Sequence, residues 1–171
     1  MQTGNGVVAK FVYIVISAPE DILRTQFIKM GLKQIDHGSK EYNDLIQLRY
    51  SILREPVGLI FTEEELKKEV DNIHIASFED DILLGCCMLT HVDNETLQLR
   101  QMAVKNNLQG KGIGASIMSF AENIARDRGF KKIVMHARDT AVGFYEKFGY
   151  KSKGDPFMEV KLPHIIMEKN L

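Results

Sequence analysis

Apolar positions follow two rhythms along the chain, and each rhythm predicts one type of element. Apolar runs that alternate with polar residues, or that are rich in β-branched residues, predict strands. Apolar positions three and four residues apart predict helices. The predicted strands cover residues 7–17, 32–36, 73–78, 82–91, 96–104, 131–137, 150–153 and 157–167. The predicted helices cover about 19–29, 40–53, 63–70, 113–128 and 141–148.

Polar residues at the ends of these segments support their boundaries. Ser39 and Thr62 are good helix N-caps, because their side-chain oxygens can accept from free backbone N–H groups. The pairs Asp80-Asp81 and Asp93-Asn94 are typical turn residues. The three strands between residues 73 and 104 are therefore predicted to form an antiparallel meander.

The order of the elements predicts a mixed sheet. A strand, two helices and the meander are followed by a glycine-rich turn, a long helix and a buried strand over 131–137. A strand–helix–strand unit of this kind places its two strands parallel. The sequence therefore predicts an α/β (α+β) fold in which a mostly antiparallel sheet carries one βαβ insert. Residues 1–30 are predicted to be an N-terminal extension, and residues 31–171 a single domain.

Composition and charge narrow the range of partners. Hydrophobic residues make up 44% and charged residues 26% of the 171 residues, as in ordinary globular domains. The formal net charge is −1, so nucleic acid, which requires clustered cations, is not an expected partner.

The longest apolar run, residues 11–18, is far shorter than the roughly 20 residues of a membrane-spanning helix. It weakly resembles a signal-peptide core, but a strand is the better interpretation, and no membrane partner is expected.

The two cysteines, Cys86 and Cys87, are adjacent in the sequence. Neighbours on a strand point to opposite faces of the sheet, so they are predicted to be two buried, reduced thiols. Neither the cysteines nor the five histidines have the spacing of metal ligands, so no metal site is expected. Reduced cysteines are typical of the cytoplasm, which is the predicted location.

The segment from Gln109 to Ala115 is the strongest candidate for ligand binding. Gly110, Gly112 and Gly114 lie where a strand gives way to a helix. Glycines let backbone N–H groups approach a ligand, and the N–H groups at a helix start favour an anion such as a pyrophosphate. The spacing also fits the G-x-G-x-x-G/A pattern of dinucleotide-binding sheets, but the elements after residue 137 do not form a second βαβ half.

Three segments together resemble the GNAT acetyltransferase superfamily. They are LRQMAV at 99–104, QGKGIG at 109–114 and FYEKFGY at 144–150. The second contains that family's acetyl-CoA signature, Q/R-x-x-G-x-G/A, and the third matches its F-Y-E-K-x-G-F/Y helix. The resemblance covers about residues 31–168. It implies a GNAT-like sheet with helices on both faces and a splayed parallel strand pair that holds coenzyme A. The implied reaction is transfer of an acetyl group from acetyl-CoA, the co-substrate, to a primary amine by direct attack.

The resemblance also assigns the cofactor contacts. Backbone groups of the strand at 96–104 would bind the pantetheine arm, and N–H groups of the glycine turn would bind the pyrophosphate. The residues implied in these contacts are Met102, Ala103, Val104, Gln109, Gly110, Lys111, Gly112, Ile113, Gly114 and Ala115. Tyr145 matches the tyrosine that commonly protonates the leaving thiolate, and its alternative role is packing between Phe144 and Phe148.

Two places depart from the family's pattern. Arg138 stands where many members have an asparagine that contacts coenzyme A; it could bind a phosphate of coenzyme A or be a solvated charge at a strand end. Gln98 and Arg100 occupy the strand on which many members carry a glutamate that acts as base. Neither side chain can take a proton at neutral pH, so a water relay or another group must serve as the base.

The sequence leaves the acceptor amine open. Alternation predicts that Arg100 shares a face with Gln98 and Met102. An arginine in the pocket favours an acceptor that carries a carboxylate or phosphate, whereas its alternative role is to pair with a structural carboxylate. Further candidates on the acceptor side are His136, His164 and Glu159, although each histidine can equally be structural. Segments 49–61 and 154–164 are expected to line the acceptor pocket.

Two other functions compete with acetyl transfer. One is a non-catalytic acyl-CoA-binding module on the same fold, against which Tyr145 argues. The other is a nucleotide-dependent oxidoreductase. This function is disfavoured because the elements after residue 137 do not form a second βαβ half. The expected partner is a small-molecule or peptide amine, and the resemblance adds a homodimer as a common assembly in the family.

Overall fold

The computed structural model describes residues 10–15 and 27–171. These residues form one eight-stranded sheet with the order β1-β2-β3-β4-β5-β6-β8-β7. The strands are β1 (Lys10–Val15), β2 (Phe27–Ile35), β3 (Ile73–Glu79), β4 (Ile82–His91), β5 (Thr96–Val104), β6 (Lys132–Arg138), β7 (Lys151–Glu159) and β8 (Leu162–Asn170). The α-helices are α1 (Lys40–Arg49), α2 (Glu63–Lys67), α3 (Ile113–Asp127) and α4 (Val142–Glu146). Within this part of the chain only β5 and β6 pair in parallel, so the predicted mixed sheet is confirmed.

Helices cover both faces of the sheet. On one face, α3 packs on β3, β4 and β5, and the cluster beneath it includes Cys87 and Leu99. On the other face, α1 packs on β4 and β5 over a cluster that includes Cys86 and Ala103. The two cysteines are free, buried and on opposite faces, as predicted. Burial raises the pKa of Cys86 to about 12, so this thiol stays protonated and unreactive.

Several predicted elements differ from the structure at their ends, including the helices over 19–29 and 40–53. The predicted helix over 19–29 lies mostly outside the described residues, but its last three residues belong to β2. Antiparallel pairing with β1 holds these three residues in an extended ladder. The predicted helix over 40–53 is α-helical only to Arg49 and continues as one π-helical turn, Tyr50–Arg54.

The last predicted strand, 157–167, is divided by a turn that the sequence does not announce. Val160 and Lys161 have φ values of 45° and 63°, and they join β7 to β8 as a two-residue hairpin. Such turns usually carry glycine or asparagine at these positions. A valine and a lysine there gave no signal, and the ladder between β7 and β8 holds them in place.

The parallel pair separates partway along its length. Pairing between β5 and β6 runs from Thr96↔Lys132 to Leu99↔Met135 and then stops, although both strands continue. A bulge in β5 accompanies the separation, because the register with β4 shifts between Cys86 and Met88. Gln101, inside this bulge, has a φ of 54°. The predicted splayed pair is therefore present, with its opening beyond Leu99 and Met135.

No helix in the described ranges combines the length and the apolar character that crossing a membrane requires.

Candidate functional site

A cavity of about 750 Å³ lies at the opening between β5 and β6. Elements from both faces of the sheet line it. From the α3 face come the glycine turn and α4, and from the α1 face comes the π-helical turn. Its lining residues include Leu53, Arg54, Arg100, Met102, Gly110, Gly112, Gly114, His136, Arg138, Tyr145, Glu159 and His164. The opening thus connects the two faces of the sheet through its centre.

The glycine turn forms one end of the cavity. Gly110 and Gly112 have φ values of 77° and 83°, which an L side chain rarely adopts. Gly112 is the N-cap of α3, so the N–H groups of the first helical turn have no helical partner. The Gln109 side chain donates to the Val104 carbonyl at 3.2 Å and ties the turn to β5. These free N–H groups make the turn suited to an anion.

The ten residues implied in cofactor contacts divide into two sets. Eight of them line the cavity: Met102, Ala103, Val104, Gln109, Gly110, Gly112, Gly114 and Ala115. Lys111 is exposed and is not among the lining residues, while the Ile113 side chain is buried in the core under α3. Gly114 lies against α4, since a Cβ added there would be 3.3 Å from Phe144 Cζ. A larger residue at 114 would push α4 away from the turn.

Tyr145 places a phenol in the wall of this cavity. Its side chain is 7% exposed and packs edge-on against Phe144, with ring centroids 5.0 Å apart. Burial raises the pKa of Tyr145 well above its usual value, and the nearby Cys87 adds to this, so the phenol is protonated at neutral pH. A buried, protonated phenol beside a cavity can donate a proton to a base that forms there.

The bulge at Gln101 changes which residues share a face of β5. Leu97 and Leu99 face α3, so Arg100 points to the α1 side. After the bulge, Met102 packs on the α3 side while Ala103 joins the cluster under α1. The prediction that Arg100 shares a face with Met102 is therefore wrong, because the extra residue reverses the alternation.

Arg138 has a partner within the protein that the sequence did not predict. One guanidinium nitrogen donates to the Leu53 carbonyl at 3.1 Å and joins the end of β6 to the π-helical turn. The side chain is half-buried and lines the cavity, so it is not simply a solvated strand-end charge. Four of its donors stay available to a ligand in that cavity.

The candidate histidines lie on the α1 side of the opening. His136 Nδ1 lies 3.0 Å from Glu159 Oε2, and its ring packs edge-on against Phe157. His164 is 5% exposed, and its Nδ1 lies 2.9 Å from the Leu162 carbonyl oxygen. Sequence analysis named these side chains separately, but it missed the contact between His136 and Glu159. The contact depends on the order β6-β8-β7, which one sequence does not show.

Both segments expected to line the acceptor side contribute to the cavity. Ile52, Leu53 and Arg54 come from the first segment, and Glu159, Val160 and His164 from the second. Sequence analysis missed Lys147 and Thr140, which also line the cavity. Within residues 10–15 and 27–171, no cluster of three or more histidine, cysteine, aspartate or glutamate side chains is arranged to hold a metal ion.

Comparisons with known proteins agree with this geometry. The family model described as an acetyltransferase (GNAT) domain matches residues 53–171. The uncharacterized N-acetyltransferase YjcF of Bacillus subtilis (strain 168) is 24% identical over 137 residues, covering 80% of this chain and 97% of its own.

Solved structures share the fold. An acyl-CoA N-acyltransferase from Pseudomonas aeruginosa has a TM-score of 0.71 at 19% identity, covering 82% of this chain and 99% of its own. A GNAT family acetyltransferase from Elizabethkingia anophelis, solved with acetyl-CoA bound, has a TM-score of 0.64 at 18% identity, covering 83% of this chain and 98% of its own. With the family model matching more than half of the chain, and with the splayed strands and glycine turn in place, the chain belongs to the GNAT acetyltransferase family and is an acyltransferase.

Proposed function

We propose that this protein transfers an acetyl group from acetyl-CoA to a primary amine by direct attack of the amine on the thioester. The cavity through the opening between β5 and β6 carries this proposal, because it joins an anion-binding turn on one face of the sheet to polar side chains on the other. A ligand with a phosphate end and a reactive thioester end fits such a passage. The acceptor would then approach from the side of α1.

The glycine turn would hold the pyrophosphate of acetyl-CoA. The backbone N–H groups over 109–114 supply donors and a partial positive charge and need no side chain, apart from the Lys111 N–H, which donates to the Leu108 carbonyl at 3.4 Å. Beyond Leu99, backbone groups of β5 at Met102, Ala103 and Val104 have no partner on β6, so they can bind the pantetheine amides. Arg138 lies on the opposite wall and can add charge toward a phosphate or the acceptor.

Tyr145 would act as the general acid. When the amine nitrogen bonds to the thioester carbon and the C–S bond breaks, the sulfur keeps the electron pair as a thiolate. The phenol, held protonated by burial, donates its proton to that sulfur. Fixing the thioester next to this donor lowers the entropic part of the barrier.

A non-catalytic acyl-CoA-binding module on the same fold is the second candidate. The observation that favours it is the absence of a carboxylate at positions 98 and 100 of β5, where Gln98 and Arg100 stand. The two functions differ in turnover but not in cofactor binding. Acetyl-CoA should raise the melting temperature of the protein, and NAD should not. Release of the coenzyme A thiol with a panel of amino acids, aliphatic amines, aminoglycosides and peptides then separates enzyme from binding module.

A negative charge in the glycine turn should weaken cofactor binding. Gly110→Asp places a carboxylate at one end of the cavity, and we expect acetyl-CoA affinity to fall at least tenfold, about 1.4 kcal/mol, in calorimetry. Gly129→Asp is the matched control. Both glycines have a left-handed φ, 77° and 85°, and a Cβ at either position meets no atom within 4 Å. Equal affinities in the two variants would refute the assignment of the turn.

Arg100 should select for acceptors with an anionic group. It is exposed, lines the cavity and points to the α1 side of β5. We expect Arg100→Ala to raise KM about tenfold for amines that carry a carboxylate, and less than threefold for neutral amines of similar size. Arg128→Ala, which removes an arginine outside the cavity, should leave both unchanged. An equal rise for both amine types would show that Arg100 does not contact the acceptor.

Several expectations stay predictions. They are the division into an extension over 1–30 and a domain over 31–171, the cytoplasmic location, and the formation of a homodimer.

A further inference from the structure

We propose that His136, oriented by Glu159, is the base that removes the proton from the acceptor amine. This inference rests on the proposed acetyl transfer, which needs such a group because a protonated amine has no lone pair for attack. Gln98 and Arg100 cannot take a proton at neutral pH, so the base is either a water relay or a group on another element. The strand opposite them across the opening is β6, and it carries His136.

The position of His136 follows from where the parallel pairing stops. Leu99 and Met135 are the last paired residues, so Arg100 and His136 are the first residues beyond the split on their strands. Leu99 and Met135 both belong to the cluster under α3. Strand alternation therefore points Arg100 and His136 to the α1 side, which is the acceptor side of the opening. Both side chains line the cavity.

Glu159 fixes the imidazole in the form that a base requires. A carboxylate only accepts hydrogen bonds, so the neutral ring carries its hydrogen on Nδ1 and donates to Glu159 Oε2 at 3.0 Å. The lone pair is then on Nε2, and the edge-on contact with Phe157 holds the plane of the ring. The negative charge of Glu159 stabilises the imidazolium that forms after proton transfer.

The charges around this pair suit a substrate that is both cationic at its amine and anionic elsewhere. Besides His136, the charged and titratable groups that line the cavity are Arg54, Arg100, Arg138, Tyr145, Lys147, Glu159 and His164. The three arginines disfavour a simple polycation, whereas the single carboxylate lies beside His136. An amine that bears a carboxylate or phosphate therefore matches the site.

The step balances in protons and electrons. The ammonium gives one proton to His136 Nε2, and the neutral amine then forms the N–C bond as the C–S bond breaks. The sulfur keeps that electron pair and takes the proton of Tyr145. The nitrogen loses its second proton, which restores the phenol, and His136 releases its proton to water. The products are an amide, coenzyme A with a free thiol, and one proton.

The test compares pH profiles of kcat/KM for His136→Gln, Glu159→Gln and wild type. The acceptor is the panel amine with the highest wild-type kcat/KM, at saturating acetyl-CoA. We expect His136→Gln to lose about 100-fold at pH 7, and the deficit to shrink below tenfold by about pH 9.5, where solvent deprotonates the amine. Glu159→Gln should lose about tenfold at pH 7 with the same pH trend. Acetyl-CoA affinity by calorimetry should stay within twofold in both variants.

His91→Gln is the matched control, because His91 is an exposed histidine that does not line the cavity. It should behave as wild type. Turnover of His136→Gln within threefold of wild type at pH 7, or a deficit that is constant with pH, would overturn the role of His136 and leave acetyl transfer standing. If the wild-type protein acetylates no amine, both the proposed function and this inference are wrong.

Discussion

Tyr145→Phe should lower kcat about 100-fold while acetyl-CoA affinity stays within twofold. The substitution keeps the ring and its packing against Phe144, and it removes only the proton that the phenol would give to the thiolate. An interaction used only in the transition state lowers kcat without changing ground-state binding. Steady-state kinetics with the best amine of the panel, together with calorimetry of acetyl-CoA, measure both quantities.

Tyr150→Phe is the matched control for this experiment. Tyr150 is also a buried tyrosine, and its ring lies 6.2 Å from that of Tyr145, but it does not line the cavity. Tyr150→Phe removes a hydroxyl from a side chain that is buried like Tyr145 but lies outside the cavity. We therefore expect kcat to stay within twofold of wild type. A Tyr145→Phe variant with the kcat of wild type would reduce Tyr145 to a packing residue. Equal losses in both variants would indicate a general effect on the core.

Glu69→Gln should destabilise the protein by about 3 kcal/mol. Glu69 and Arg49 form a buried ion pair, with Arg49 2% exposed and with nitrogen–oxygen distances of 2.8 and 2.6 Å. Tyr42 donates a third hydrogen bond to the same carboxylate at 2.9 Å. Removing the negative charge leaves the Arg49 charge uncompensated in the core, which costs more than the pair itself contributes. Denaturant unfolding measures the difference.

The same pair should make stability depend on pH. Burial alone would raise the pKa of Glu69, but the hydrogen bonds and charge of Arg49 outweigh it, so the pKa lies below its usual value. A carboxyl whose pKa is lower in the folded state stabilises the fold above its unfolded pKa, near 4.3, and that stability is lost as pH falls further. The wild-type protein should therefore lose more stability between pH 5 and 3 than Glu69→Gln does.

Two comparisons identify the cause of the Glu69 effect. Glu63→Gln removes a carboxylate whose partner, Lys67, is 3.5 Å away on the exposed surface, and it should cost less than about 0.5 kcal/mol. The double variant Arg49→Met with Glu69→Leu removes both buried charges and should be more stable than Glu69→Gln alone. If the double variant is the less stable one, the uncompensated charge is not what destabilises Glu69→Gln.

Helix caps and turns could be predicted from the sequence because they depend on residues that are close together in the chain. Ser39 and Thr62 cap their helices in the structure as their side chains suggest, and Asp80-Asp81 forms the turn between β3 and β4. The sequence predicts the glycine turn because glycine tolerates a left-handed backbone that other residues avoid. Gly110 and Gly112 have that conformation in the structure. In each case one or two residues carry a strong intrinsic preference.

Features that depend on tertiary context could not be predicted in this way. Gln101 in the bulge, and Val160 with Lys161 in the last hairpin, have positive φ values without any residue type that favours them. Neighbouring strands hold them in these conformations and override local preference. The bulge places Met102 on the opposite face from the expected one. The pair of His136 and Glu159, 23 residues apart, required the strand order of the finished sheet.

Acetyl transfer at the opening between β5 and β6 requires that thiol release and amide formation occur together. Purified protein is incubated with acetyl-CoA and the amine panel, while release of the coenzyme A thiol and formation of the acetylated amine are followed together. We predict equal amounts of free thiol and amide, both dependent on the amine and both reduced about 100-fold in Tyr145→Phe. Tight binding of acetyl-CoA with no amide from any amine would contradict acetyl transfer at this opening. Equal amide formation by wild type and Tyr145→Phe would contradict acetyl transfer with Tyr145 as its acid.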